Sequence, residues 1–340
     1  MVEIIFEIGK NFVITQEPEP LDILLNRAKV LIDEAISCGA KIVKFQVHFV
    51  DDEIYPEAKI IAPHFDHDRY EWVKRNTYPI EFWMEIMRYC DEVGVEFLAT
   101  PMSRGSAIML ENLGIKRWKI GSGDILDFVM LDYIRRTGKP IIISSGMSTL
   151  QELKLAYDFL SEKVKDITIL HCVSEYPCKL EHLNLKTIPF LKKQFPRAKI
   201  GFSDHSLEIS TGLMAVQLGA VMVEKHFTLS RDVFGSDHKV SLLSHEFTQM
   251  VKEINSKKKI VIPEQAKGVE TKFINSSEMD FRKVFRKGLY ASCAIKKGQT
   301  FELEHFYALR PKGEGQPSEN YPQMLGTKAK KNYLQYEAII

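Results

Sequence analysis

Cysteine is scarce in this chain. Five residues (Cys38, Cys90, Cys172, Cys178 and Cys293) are scattered and odd in number. They make no disulfide framework and fit a reducing compartment. Long apolar runs are missing too. No stretch of about 18 apolar residues occurs, so no membrane span is expected. The first eight residues are apolar but carry Glu3 and Glu7 and no basic region, so they do not read as a signal peptide. Nor is there an excess of one charge. Lys+Arg total 46 and Asp+Glu 45, a formal net charge of +1, which argues against a nucleic-acid binder. What is present is core-forming material: 45% of the 340 residues are hydrophobic and 10% aromatic, which excludes wholesale disorder. The expectation is a cytoplasmic globular protein of two domains, or one large α/β barrel with an appendage.

Short β-branched runs alternate with amphipathic helical patterns. The runs fall at 2–8, 41–45, 96–100, 117–120, 140–144, 166–170, 199–202 and 221–225. That alternation suits a repeated βα unit. In the first helix Leu24, Ala28, Leu31, Ile32 and Ala35 share one face, and Gly39 ends it. Gly94, Gly114, Gly138 and Gly219 repeat that punctuation. Eight parallel strands favour a closed (β/α)8 TIM barrel over an open sheet. The first strand leads into Gly9-Lys10-Asn11-Phe12, without the dinucleotide fingerprint. The barrel is assigned to residues 1–256. Residues 257–280, with a lysine run and weak periodicity, read as a linker. Residues 281–340 read as short strands and turns in a second domain, marginal alone and expected to lean on the barrel or on another subunit.

Catalytic groups of such barrels sit where strands end. Here every strand finishes in polar residues. Glu7 closes the first; Lys44 and Gln46 the second; Thr100 the third; Lys119, Ser122 and Asp124 the fourth. Ser144, Ser174 with Tyr176, Ser203 with His205, and Glu224 with His226 close the others. One lysine at a strand end is as readily a salt bridge as a ligand. Lys44 and Lys119 together suit an anion of more than one charge. Ser122, Ser144 and Ser203, among glycines, can donate to phosphate oxygens. His205 and His226 end adjacent strands, roughly 4.8 Å apart, so both can reach one metal ion. The pair does not choose among Mn²⁺, Co²⁺, Zn²⁺ and Fe²⁺. His64 and His67 look ligand-like by composition, but loop clusters of this kind are mostly solvated. Cys172 and Cys178 lack a second pair and make no zinc site.

Several motifs then resemble one family. They are Glu7-Ile8-Gly9 with Asn11, Val43-Lys44-Phe45-Gln46, Trp118 to Asp124, and Ser144-Ser145-Gly146-Met147. They continue with Ser174-Glu175-Tyr176-Pro177, Gly201 to His205, Glu224 to Leu229, and Gly235-Ser236-Asp237-His238. Near the C-terminus come Arg286 to Tyr290 and Leu309-Arg310-Pro311. In order and spacing the chain resembles the sialic acid (nonulosonic acid) synthases over nearly its whole length. The resemblance implies a TIM barrel followed by a small SAF, or antifreeze-like, β-clip domain. It implies a transferase of the N-acetylneuraminate synthase type. Phosphoenolpyruvate condenses with an N-acylated mannosamine-type sugar, giving a nine-carbon 2-keto acid and phosphate by C–O cleavage.

By motif, Lys44, Thr100, Lys119, Ser122, Ser144, Ser174 and Ser203 would hold phosphoenolpyruvate. Glu7, Gln46, Tyr176, Asp237 and Arg310 would meet the sugar. His205 and His226 would bind a divalent metal, Mn²⁺ first, with Co²⁺ or Mg²⁺ as alternatives. Glu7 and Asp124, beside Lys44 and Lys119, are the candidates for proton handling. Arg310 would reach into the partner subunit's barrel, which implies a domain-swapped homodimer. No membrane or nucleic-acid partner is implied. One departure bears on the sugar. The family's Asn-His-Asn-Gly loop is here Asn11-Phe12-Val13-Ile14, and its lost polarity points to a less hydroxylated sugar. The alternatives are another phosphoenolpyruvate–sugar 2-keto-acid synthase and a non-catalytic carbohydrate- or ice-binding protein.

Overall fold

The computed structural model describes residues 2–56, 58, 68–256 and 258–340. His64 and His67 lie outside them. Eight parallel strands are present: β1 (Glu3–Gly9), β2 (Ile42–Val47), β3 (Glu96–Pro101), β4 (Trp118–Ile120), β5 (Ile141–Ser144), β6 (Ile167–Cys172), β7 (Lys199–Asp204) and β8 (Met222–His226). Their hydrogen-bonded order is β3-β2-β1-β8-β7-β6-β5-β4, and β3 packs beside β4 to close the ring. The helices that return the chain are α1 (Leu21–Ser37), α2 (Arg69–Arg75), α3 (Ile80–Val93), α4 (Arg104–Asn112), α5 (Phe128–Arg136), α6 (Leu150–Ser161), α7 (Thr187–Gln194), α8 (Thr211–Gln217) and α9 (Ser244–Ser256). This is the expected barrel. None of the described helices is long and apolar enough to cross a membrane.

The first helix buries Leu24, Ala28, Leu31, Ile32 and Ala35, the face its spacing predicts. Gly94 ends α3 in the left-handed region (φ 76°), where a side chain would be strained. Between strands and helices lies the large apolar core. Inside the barrel a smaller floor is made by Ile5, Ile42, Leu98, Ile142, Leu170 and Met222. Strand side chains alternate, so the next inward residue lies two positions on. That step leads from Ile5 to Glu7, Ile42 to Lys44, Leu98 to Thr100, Ile142 to Ser144, Leu170 to Cys172 and Met222 to Glu224. The floor and the polar ring above it therefore come from one periodicity.

The segment expected to be a linker carries helical turns. It contains α10 (Glu264–Lys267), and α11 (Ser276–Phe285) begins within it. The weak periodicity has a reason. Glu278 of α11 is buried, and its carboxylate accepts from the backbone N–H groups of Met147 (2.8 Å) and Ser174 (2.9 Å). Arg282 donates to the Met147 carbonyl. The helix docks through polar groups, which an apolar pattern cannot reveal. Beyond it, β9 (Gly288–Ala291) and β10 (Phe306–Leu309) pair antiparallel, with isolated bridges from Gly288 to Pro317 and from Tyr290 to Ala338. This small sheet sits on the barrel.

Candidate active site

The strand ends converge on a cavity holding roughly 990 Å³ of free space continuous with solvent. Glu7, Lys44, Gln46, Thr100, Lys119, Ser122, Asp124, Ser144, Ser174, Tyr176, Ser203, His205, His226 and Asp237 all line it. Of the residues given a substrate, metal or catalytic role from sequence, Arg310 is not among the lining residues.

At the floor of the cavity two lysines share a carboxylate. Lys44 Nζ lies 2.7 Å from Glu7 Oε2 and 3.7 Å from Glu224 Oε2. Lys119 Nζ lies 3.6 Å from Glu224 Oε1 and donates to the Ser144 hydroxyl at 2.8 Å. Lys44 also donates to Thr100 Oγ1 (3.1 Å), and Ser203 donates to Glu224 Oε1 (3.1 Å). Burial opposes charge on Glu224, but Lys119 and Lys44 outweigh it and hold the carboxyl at about 2. Burial likewise opposes charge on Lys44, yet Glu224 and Glu7 leave it above its ordinary value. Lys119 is lowered, by burial first and by the repulsion of Lys44 as well. The floor thus carries two ammonium groups whose shared partner stands beyond hydrogen-bond reach.

Beside them is a cradle of hydroxyls. Ser122 Oγ accepts from the Gly146 N–H at 3.0 Å. A Cβ placed on Gly146 would lie 2.3 Å from Ser174 Oγ and 2.7 Å from Ser122 Oγ. Three short groups therefore face one small space that only glycine leaves open. Small donors round a void beside two cations suit a phosphate or carboxylate.

On the other side Glu7 Oε1 accepts from Gln46 Nε2 at 2.9 Å. The Tyr176 ring stands 4.3 Å from that of His205, centroid to centroid. The His205 and His226 rings are 5.5 Å apart. His205 Nδ1 faces the Val173 carbonyl at 2.9 Å, which leaves Nε2 with its lone pair. His226 is buried, and its Nδ1 has no hydrogen-bond partner. The pair thus offers two nitrogen donors to a metal. Among the described residues no group of three or more His, Cys, Asp or Glu surrounds one metal position.

Several lining residues had no assignment in the sequence reading: Lys10, Arg69, Cys172, Glu224, Phe281 and Phe285. Glu224 and Cys172 follow from strand alternation, two positions past Met222 and Leu170. Phe281 and Phe285 come from α11, and their packing against the mouth is long-range. Lys10 Nζ donates to Gln46 Oε1 (2.9 Å) and meets His48 Nε2 (3.1 Å).

The structure bears on three expectations. Phe12 is fully buried among Phe45, Tyr78 and Phe82, 5.7–6.2 Å away by ring centroid, so its loop does not make the mouth apolar. The polar group that this loop sends to the mouth is Lys10, and the argument for a less hydroxylated sugar falls. Asp124 Oδ1 is engaged by both Lys287 (2.8 Å) and Arg310 (2.6 Å). Arg310 lies behind Phe285 and Asp124, its guanidinium 5.1 Å from the centre of the Phe285 ring.

Residues 31–265 match the NeuB family. The chain is 35% identical to the N,N'-diacetyllegionaminic acid synthase of Campylobacter jejuni over 93% of this chain and 94% of that protein. It is 31% identical to the N-acetylneuraminate-9-phosphate synthase of Homo sapiens over 96% of this chain and 88% of that protein. A crystal structure of a spore coat polysaccharide biosynthesis protein from Bacillus subtilis superposes with a TM-score of 0.82 at 30% identity, covering 100% of this chain and 94% of that chain.

Proposed function

Because the chain belongs to the NeuB family, we propose that it condenses phosphoenolpyruvate with an N-acylated mannosamine-type sugar. The products are a nine-carbon 2-keto acid and inorganic phosphate. The observation that carries this reading is the pair Lys44 and Lys119 on either side of Glu224, beside the Ser122–Gly146–Ser174 cradle.

Lys44, Lys119, Thr100, Ser144 and Ser203 bind the anionic groups of phosphoenolpyruvate, with Ser122 and Ser174 around one of them. Glu7, Gln46, Tyr176 and Asp237 orient the open-chain sugar. C3 of the enol attacks the sugar's aldehyde carbon and forms the new C–C bond. Positive charge develops at C2, and water adds there. The C2–O bond to phosphorus then breaks, phosphate leaves with the bridging oxygen, and C2 becomes the ketone. One proton of the water passes to the new alkoxide, a transfer assigned to the Glu7 carboxylate, and the second leaves with the phosphate as the C2 hydroxyl becomes the ketone. Fixed donors in a site shielded from water stabilise such charge best. His205 and His226 would hold a divalent ion, Mn²⁺ first, which supplies Lewis-acid polarisation of the sugar's carbonyl oxygen when bound.

The test is incubation with phosphoenolpyruvate, Mn²⁺ and a panel of amino sugars, with mass spectrometry of the product. The panel is N-acetylmannosamine, its 6-phosphate and a 6-deoxy diacetamido sugar. Phosphoenolpyruvate labelled with ¹⁸O at the bridging oxygen should place the label in the released phosphate. Absence of both phosphate release and phosphoenolpyruvate binding overturns the reading.

A further inference from the structure

Lys10 lines the cavity but has no task in the condensation as set out above. It follows β1, whose pairing register shifts between Glu7 and Gly9. A tight turn then fixes it. The Asn11 N–H donates to the Ile8 carbonyl and the Val13 N–H to the Lys10 carbonyl, both at 2.8 Å. The Asn11 side chain pins this turn to the barrel by donating to the Phe227 carbonyl (2.8 Å) and to Ser241 Oγ (3.0 Å). The ammonium group therefore reaches the mouth from a rigid support.

Its direction is set as well. Burial holds His48 at about 4, so the ring is neutral at physiological pH and carries one proton. Nδ1 lies 2.7 Å from Glu53 Oε2, and a carboxylate only accepts, so that proton sits on Nδ1. Nε2 is left to accept from Lys10 Nζ at 3.1 Å. A second ammonium proton goes to Gln46 Oε1 at 2.9 Å. That contact turns the Gln46 amide so that Nε2 donates to Glu7 Oε1. The third ammonium proton has no acceptor among the described residues.

The matching acceptor is Asp237. Its Oδ1 accepts from Ser236 Oγ at 3.1 Å. Its Oδ2 stands near the bare Cα of Gly9: a Cβ there would lie 3.5 Å from Asp237 Oδ2 and 3.2 Å from both Gln46 Nε2 and Glu7 Oε1. Burial lowers the Lys10 ammonium, and Asp237 is the neighbour that most opposes this. Yet no ion pair joins the two among the described residues. Donor and acceptor face one cavity across a gap that neither closes. A hydroxyl fits such a gap, because one oxygen accepts from the ammonium and donates to the carboxylate. A phosphate fits less well. Arg69 of α2 lines the same cavity, and while burial opposes both cations, Asp237 and Glu53 support both. Two carboxylates thus offset two cations, and a buried dianion would find no surplus charge to receive it.

We propose that Lys10 is a specificity-determining residue which, together with Asp237, reads a free hydroxyl on the sugar's tail carbons, C4 to C6. The orientation of the sugar rests on the proposed condensation. The recognition of its hydroxyl does not require turnover.

The test is a cycle between one side chain and one oxygen. Wild type and Lys10→Met receive phosphoenolpyruvate, Mn²⁺ and N-acetylmannosamine, its 4-, 5- and 6-deoxy analogues, or its 6-phosphate. With wild type, one deoxy analogue should lose about 100-fold in kcat/KM against the parent sugar. Lys10→Met should lose a similar factor with the parent and little more with that analogue, whose partner oxygen is already gone. The phosphoenolpyruvate KM should hold, which separates lost recognition from lost folding. Lys10→Gln, a donor of shorter reach, should fall between. Equal losses from Lys10→Met with every sugar overturn the proposal, as does a wild-type preference for the 6-phosphate that Lys10→Met abolishes. If no sugar releases phosphate, titration calorimetry with N-acetylmannosamine and Mn²⁺ decides. Binding weakened about 100-fold by Lys10→Met keeps this assignment while the condensation fails. Absent binding, or binding indifferent to the substitution, overturns the assignment itself.

Discussion

Two buried clusters of charge flank the mouth of this barrel, and they are built differently. In the floor cluster each lysine keeps one close partner, Glu7 at 2.7 Å for Lys44 and the Ser144 hydroxyl at 2.8 Å for Lys119. Their shared carboxylate, Glu224, stands off at 3.6–3.7 Å beside open space. In the docking cluster Lys287 and Arg310 meet Asp124 and Asp127 at 2.6–2.8 Å. The same residue types thus serve two ends. Cations whose shared carboxylate stands off attract an anion, whereas cations in close ion pairs hold two surfaces together.

The sharpest break of the comparison is Lys119→Met. It should lower kcat/KM for phosphate release by about 10³-fold, because a preorganised donor to the reacting anion is lost. Circular dichroism should show the fold intact. A loss of structure equal to the loss of rate would place Lys119 with the docking cluster instead. Lys287→Met should do the reverse. Leaving Asp127 without its lysine, and Asp124 with one cation fewer, should cost about 3–5 kcal/mol in urea unfolding. An unchanged midpoint would show that the docking charges contribute nothing.

Gly146→Ala tests the cradle. The added methyl would meet Ser174 and Ser122 at 2.3–2.7 Å. Displacing the bound anion by this much should weaken phosphoenolpyruvate turnover by about 100-fold while sugar affinity holds. Normal kinetics would remove the cradle from the site.

The smallest effect concerns a carboxylate at the edge of the docking cluster. Asp52 accepts from the Gly105 N–H at 2.5 Å but has no ion pair among the described residues, and burial pushes it up to about 6. Its proton is held more tightly folded than unfolded. Its contribution to stability is therefore present below about pH 4 and lost as pH rises through 6. Asp52→Asn should stabilise the protein at pH 7.5 by about 1–2 kcal/mol, less than the roughly 3 kcal/mol of the full shift because the amide is the weaker acceptor. Thermal melts should show the gap closing toward pH 4, and a gap independent of pH would refute the assignment. Glu53 behaves oppositely. Burial raises it, but His48 and Arg310 outweigh burial and hold it at about 2. His48 is itself pushed by burial to about 4, so at neutral pH Arg310 is the cation that matters.

Much of the floor cluster was legible because alternation along a strand is local. Knowing that Ile42 faces inward puts Lys44 in the cavity. The same rule reaches Glu224, although that residue was passed over for its neighbour His226. Nothing local reveals that Phe285 roofs the mouth, or that α11 attaches through the Glu278 carboxylate. The Phe12 loop shows the opposite failure. An apolar substitution in a site motif read as a change in the site, but the side chain turned into the core and Lys10 took the mouth.

The order of elements, the barrel and the ring of strand-end groups were determined by the sequence itself, through periods of two and of 3.6 residues. Where the second domain sits was decided only by tertiary structure. Arg310 carries the same motif whether it meets its own barrel or another's, because an ion pair depends on distance in space and is indifferent to which chain supplies the carboxylate.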